Sequence, residues 1–404
     1  MDPAGCLVGV MSVDGGGQSV EQCGLGRVEN PRVAASLRDG GEAFGGVEGG
    51  PAKVRSEGER ERLISGAEEA VAEPVGWAGA EGGVGFGAKR ESRTQVASVP
   101  DPRLDFFVQM YKPKKVSPAQ IQFTDLPGFE TGKGREFLDQ VRPCDALLLV
   151  LRAFESPLGE NNPVGELNQL SGELVLADWE LVEKRLERLA ANKKKTADKN
   201  QEPALRKLAQ ALEEGKPART VELTEEEAKA LEGLELLSAK PAVVVVNLAE
   251  DSFGQDYPAR AAIDEICAEN LWPKVEVCAQ LELEIAALPS EEREIFLADL
   301  GISQPGIDLV AQAAYKSLDL ISYFTVGEDE VKAWTIRRGT NAQDAAGKIH
   351  SDIARGFIRA EVFHYEDLRE HKTIANLRQA GLFRLEGKEY IVQDGDVMSF
   401  RFNV

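Results

Sequence analysis

The chain has 404 residues, 43% of them hydrophobic, enough for two or three cores of ordinary size. Its formal charge of −21 excludes a protein that coats nucleic acid nonspecifically. No run of eighteen apolar residues is present, so no membrane-spanning helix is expected, and the start Met1-Asp2-Pro3-Ala4-Gly5 carries no signal-peptide pattern. Cysteines 6, 23, 144, 267 and 278 lack CxxC spacing and read as reduced thiols of a cytoplasmic protein, with no disulfide frame or zinc site.

Residues 1–97 stand apart. Positions 1–100 hold 21 of the chain's 39 glycines, one isoleucine (Ile64) and two lysines (Lys53, Lys89). Neither a period of 2 nor one of 3.6 runs through this Gly/Glu-rich text, so disorder is the expectation, with one short helix at 58–73. From about Ala97 the texture changes. Residues 119–124 alternate as a strand, while 145–151 (Asp-Ala-Leu-Leu-Leu-Val-Leu) and 242–247 (Ala-Val-Val-Val-Val-Asn) are continuous apolar runs. Such runs fit strands buried on both faces of a parallel sheet, and a shorter one follows at 275–278. Helical patterns separate them, the α/β signature. Between 174 and 237 the pattern is helical and charged, predicting an antiparallel helical hairpin inserted between two strands. Lys193-Lys194-Lys195 reads as its turn or as an RNA contact. Pro305-Gly306 opens a further helix through Leu320. Strands at 323–326, 331–336, 358–363, 389–392 and 397–402, with a helix at 342–354, then fit a β-grasp module at 321–404. That module holds twelve Lys/Arg against thirteen Asp/Glu and all three histidines. It is the part most able to approach a phosphate-rich surface. Arg337-Arg338 and Arg355/Arg359 read equally as solvated surface or as RNA contacts. The spacing of His350, His364 and His371 gives no metal geometry.

Three short motifs sit at strand ends. Thr124-Asp125-Leu126-Pro127-Gly128 follows the alternating strand; there an Asp holds a magnesium shell through water and a Gly amide senses a γ-phosphate, although DxxG alone also reads as a turn. Phe129 comes next and cannot orient a water. Asn247-Leu248-Ala249-Glu250 closes the Val run where nucleotide switches read a base; Glu in place of the usual Asp loses the strict guanine match. The structural alternative for Asn247 is a helix cap. Cys278-Ala279 follows the next strand, where such proteins place a backbone contact to the base.

In this order the motifs, with 99–104 (Val-Pro-Asp-Pro-Arg-Leu), 176–189 and the C-terminal string Ala345-Ala346-Gly347-Lys348-Ile349-His350 … Asp394-Gly395-Asp396-Val397-Met398, resemble the YchF family, Obg-like ATPases of the P-loop GTPase superfamily that end in a TGS domain. The resemblance implies an α/β nucleotide domain (98–320) with a helical insertion (about 174–237), a TGS-like β-grasp domain (321–404), and hydrolysis of ATP, or GTP, with Mg2+. It further implies association with the ribosome or its large subunit, and no membrane or DNA partner. It assigns Asn247, Leu248, Glu250, Cys278 and Ala279 to the nucleotide, and Asp125 and Gly128 to phosphate and magnesium. One departure is large. The phosphate cradle Gly-x4-Gly-Lys-Ser/Thr occurs nowhere, since the Gly-Lys pairs at 132–133, 215–216, 347–348 and 387–388 are followed by Gly, Pro, Ile and Glu. The simplest expectation is that residues 1–97 are read out of frame, with the frame restored near Ala97. The alternative function is a non-catalytic ribosome- or RNA-binding module acting through the TGS-like and helical parts.

Overall fold

The computed structural model describes residues 7–12, 14–16, 38–39, 93–125, 141–155, 161–191 and 199–403. The expected helix at 58–73, the Gly128 turn and Lys193–Lys195 lie outside the described residues.

Short strands β1 (Leu7–Ser12), β2 (Asp14–Gly16) and β3 (Arg38–Asp39) precede β4 (Arg93–Ser98), helix α1 (Pro102–Tyr111), β5 (Lys115–Ser117), β6 (Gln120–Asp125) and β7 (Ala146–Ala153). After two long helices come β8 (Ala242–Leu248) and β9 (Lys274–Val277), and the first sheet has the order β4-β6-β1-β7-β8-β9. β7, β8 and β9 are parallel, as their unbroken apolar runs require: Leu147, Leu149, Val244 and Val246 line one face, Leu148, Val243 and Val245 the other. The rest of the sheet departs from a parallel reading. β1 runs antiparallel to both β6 and β7, and β4 antiparallel to β6. Two reversals bring β6 back into the direction of β7, so β6, β7, β8 and β9 all end at one edge. β1 also departs from the disorder expected of the first residues; Leu7-Val-Gly-Val-Met11 is one of their few apolar, partly β-branched stretches.

Helix α2 (Pro163–Ala191) and α3 (Gln201–Glu213) form the expected hairpin, but α2 begins before Leu174. Proline suits a first turn, and Asn162 Oδ1 caps it by accepting from the Gly165 amide at 3.0 Å. The added turns bury Leu167 and Leu170 against β7, so one helix packs on the sheet and then leaves it. Val175, Val182, Leu205, Leu208 and Leu212 form the insert's own core. Asp178, fully buried, fastens the insert's return: its carboxylate accepts from Leu237 N (2.8 Å), Ser238 N (2.7 Å) and Ser238 Oγ (2.7 Å) just before β8. A short helix, α4 (Glu225–Ala230), carries a capping box between Thr224 and Glu227.

Helices α5 (Arg260–Asn270), α6 (Ala279–Ala287), α7 (Ser290–Asp299) and α8 (Gly306–Ser317) complete this half. Beyond them, β10 (Leu320–Val326), β11 (Glu330–Arg337), α9 (Ala342–Ile349), α10 (Ser351–Arg355), β12 (Phe357–His364), α11 (Tyr365–His371), α12 (Ile374–Gln379), β13 (Arg384–Glu386) and β14 (Asp396–Phe402) build a mixed sheet over helices, as the β-grasp pattern predicts. Two details differ. The helix expected at 342–354 breaks at His350, whose backbone is extended and whose Nδ1 accepts from Asp352 N at 3.1 Å to start a second helix. The strand expected at 389–392 is only a bridge between Asn341 and Ile391, and the edge strand is β13 instead.

The second sheet has the order β13-β12-β14-β10-β11-β5. Its last strand comes from the first half of the chain: Lys115, Val116 and Ser117 pair in parallel with Glu330, Val331 and Lys332. One hydrophobic core accordingly runs through both halves, taking Phe107, Ile121, Val243 and Val310 from one and Phe324, Val331, Phe363 and Val397 from the other. Arg103, on α1, is paired with Asp101 at 2.7 Å and Asp394 at 3.0 Å and lies 5.1 Å over the Phe324 ring.

Candidate functional site

The edge where β6, β7, β8 and β9 end is where open α/β sheets bind ligands. Val243–Val246 are fully buried, so β8 is fixed on both faces and delivers Asn247 rigidly to that edge. Asn247 pairs in register with Val277 on β9, and its Oδ1 accepts from the Ala279 amide at 3.0 Å. Ala279 is the first residue of α6, whose N-cap Cys278 makes no side-chain cap. Asn247 therefore caps a helix thirty-two residues away, and this bond ties the two base-site loops together. The cap alternative raised by the sequence holds, but for another element's helix.

Glu250 opens a 3-10 turn, Glu250–Ser252, and stands exposed beside an open cleft lined by Ala249, Glu250 and Asp251. Leu248 and Cys278 are 2% and 1% exposed, so each can offer a ligand only its backbone. Asp125 ends β6, exposed, at the same edge; Gly128 is outside the described residues.

Residues that sequence reasoning passed over hold this site. Glu276 on β9 accepts from Tyr257 Oη (3.0 Å), from Arg260 Nη2 (2.8 Å) and from Lys274 Nζ (2.7 Å), pinning the segment after Glu250 to the sheet. Burial, then the Glu276 charge, pushes the Tyr257 hydroxyl up to about 12, so it remains a donor. Arg152, at the end of β7, is the register partner of Asn247. The alternation of charge at 274–276 was the available signal for Glu276; nothing in the sequence signalled its partners. Burial lifts the Cys144 and Cys267 thiols to about 11, which leaves little thiolate for redox chemistry.

The base end of this site fits a purine nucleotide: a fixed amide, backbone groups of Cys278-Ala279 and a carboxylate beside an open cleft. At the phosphate end the described residues supply Asp125. The architecture is that of a nucleotide-switch sheet, with a helical insertion, joined to a β-grasp module.

The comparisons agree. The family model YchF-GTPase_C, described as a protein of unknown function (DUF933), matches residues 320–403. The Ribosome-binding ATPase YchF of Bacillus subtilis is 44% identical over 325 residues, covering 76% of this chain and 88% of that protein. Obg-like ATPase 1 of Caenorhabditis elegans is 36% identical over 335 residues, covering 76% of this chain and 82% of its own. Among solved structures, the YchF GTPase of Schizosaccharomyces pombe superposes with a TM-score of 0.70 at 29% identity, covering 85% of this chain and 94% of that one. The chain belongs to the YchF family.

Proposed function

We propose that this protein derives from a cytoplasmic, ribosome-associated ATPase, as its relatives' names describe, and that it retains the base-binding half of the nucleotide site. The observation that carries this is the Asn247–Ala279 bond at the ends of β8 and β9. Asn247, Glu250 and the backbone of Leu248, Cys278 and Ala279 would take adenine in preference to guanine, and Asp125 with Gly128 would serve phosphate and a water-bridged magnesium. When bound, magnesium would supply charge neutralisation at the phosphates.

The same reading holds that the literal chain binds ATP weakly and hydrolyses it negligibly. No Gly-x4-Gly-Lys-Ser/Thr cradle occurs in its 404 residues. The central slot of the sheet is filled by β1 running against its neighbours, so the residues after Ser12 leave at the edge opposite Asp125 and Asn247. A phosphate loop must follow a strand that ends at the ligand edge. An out-of-frame segment before Ala97 accounts for both facts. Isothermal titration with ATP and magnesium checks the affinity; low-micromolar binding would overturn it. An intact frame across codons 1–97, with no other frame encoding the cradle, would sink the frame explanation.

The missing cradle also favours a second reading, a non-catalytic ribosome-binding module. Co-sedimentation of the whole chain with ribosomes, with and without ATP, separates the two: nucleotide-independent binding supports the module.

A further inference from the structure

Cross-strand partners share a face of a sheet, and like charges placed directly opposite oppose pairing. In the C-terminal sheet Arg359 on β12 lies directly opposite Arg401 on β14. Glu361, two residues along β12, accepts both Arg401 Nε (3.0 Å) and Nη2 (3.2 Å). Arg378, on α12, stacks 4.5 Å over the Phe383 ring, and Phe383 packs on Phe363 two residues beyond Glu361. Arg359, Arg378 and Arg401 are all exposed, with Ser399 beside them and exposed Leu385 opposite Glu361 on β13. The Arg401 hydrogen bonds, and the charges of all three guanidiniums, hold the Glu361 carboxyl below its usual range. Other cations of this domain are matched singly: Arg338 with Asp319 at 3.0 Å, Arg355 with Asp352 at 2.5 Å. Here three guanidiniums share one carboxylate on a chain whose net charge is −21. Folding gains nothing from that excess. Planar guanidiniums ranged along a sheet suit the paired oxygens of successive phosphates.

We propose that this face of the C-terminal sheet, Arg359, Arg378 and Arg401, is the docking surface for an RNA phosphate backbone. The assignment rests on the ribosome-associated reading above and names the contact within it. Arg401 is held flat by Glu361 and sets the spacing, and Arg359 and Arg378 flank it. Leu385 gives the edge an apolar rim against which a ribose or base can pack.

The test uses the full chain. Co-sedimentation with purified large ribosomal subunits, and anisotropy of a fluorescein-labelled RNA hairpin, are measured for the wild type, for Arg359→Gln with Arg378→Gln, and for Arg338→Gln as a charge-matched control. Both exchanged residues are exposed, and circular dichroism verifies folding. The double variant is expected to bind subunits and hairpin at least about tenfold more weakly, with the slope of log affinity against log salt reduced by about 2; Arg338→Gln binds as wild type. Unchanged binding by the folded double variant overturns the surface alone. Equal losses in the control reduce it to general electrostatics and overturn it as well. A wild type that binds subunits but not the hairpin overturns RNA as the ligand, and one that binds no subunits brings down the ribosome-associated reading and this proposal with it.

Discussion

Asp178 and Asn247 both bind backbone amides of a distant segment, yet only Asn247 could be picked out of the sequence. It ends a run of four valines, and a polar side chain at the end of a buried strand has few structural excuses. Its partner Ala279 is a small residue with no chemistry of its own, so the bond was invisible before folding. Asp178 sits amid a charged helix, where a solvated carboxylate is the ordinary expectation, and only the fold shows that it is wholly buried. Replacing it with alanine orphans the Leu237 and Ser238 donors and leaves nearby Arg142 without its buried counter-charge. Asp178→Ala should destabilise the chain by about 3 kcal/mol in urea denaturation, and a loss below about 1 kcal/mol would contradict the anchor. Asp308 gives a pH signature. Burial, then the charge of Glu282, which caps α8 through the Gly306 amide at 2.7 Å, raises the Asp308 carboxyl to about 6. A carboxyl raised on folding lends stability below its unfolded value, 3.8, that is lost as pH climbs through about 6. Asp308→Asn should therefore melt above wild type at pH 7 and lose that advantage near pH 4, as followed by thermal denaturation across that range.

Elements were legible in proportion to how much apolar surface they bury for themselves. β7 and β8 declared themselves as long apolar runs. β5 did not: Lys115-Val116-Ser117 is three residues, two of them polar, and becomes a strand only because β11 offers an edge. The failed strand at 389–392 teaches the converse. Tyr390 and Val392 look strand-like, but Tyr390 turns its hydroxyl to the buried Asp396 carboxylate at 2.8 Å, and the segment runs as a loop between α9 and β14. Close backbone approach is equally silent in sequence. Gly356, between α10 and β12, has an ordinary negative φ, but a Cβ there would stand 2.2 Å from the Asn403 carbonyl oxygen. Gly356 and Asn403 also exchange a backbone bond at 2.9 Å. Gly356→Ala must push the C-terminal residues off α10, a loss of about 1–3 kcal/mol measured by denaturant unfolding, together with faster hydrogen exchange at residues 400–403.

At the scale of the molecule, the consequential feature is that the β-grasp module does not close its own core. Sequence divides the chain at about residue 320, because composition and periodicity change there. Packing does not divide it there. Phe324, Val331, Phe363, Tyr365 and Val397 bury themselves against Leu104, Phe107 and Val310 from the other half. The rings of Phe106, Phe107, Phe324 and Tyr365 meet at 5.0–5.7 Å across the join. Arg103 adds ion pairs to the same seam, and β5 extends the second sheet from the first half's chain. Severing the chain near residue 320 would return several large side chains to water, each at about 1.5–3 kcal/mol, against a domain stability of about 5–15 kcal/mol. A fragment of residues 320–403 should therefore lack a cooperative thermal transition, and in the whole chain the two sheets should unfold together in one calorimetric peak. Arg103→Ala, which loosens the seam without opening either sheet, should lower that peak while keeping it single. A fragment that melts cooperatively, or two resolved peaks in the intact chain, would show the seam to be an ordinary domain contact. The single-unit result has a functional corollary: strand β6, which ends at Asp125, continues through two residues from β5 in the second sheet, so any nucleotide-linked shift of Asp125 acts on a body that already includes the arginine face.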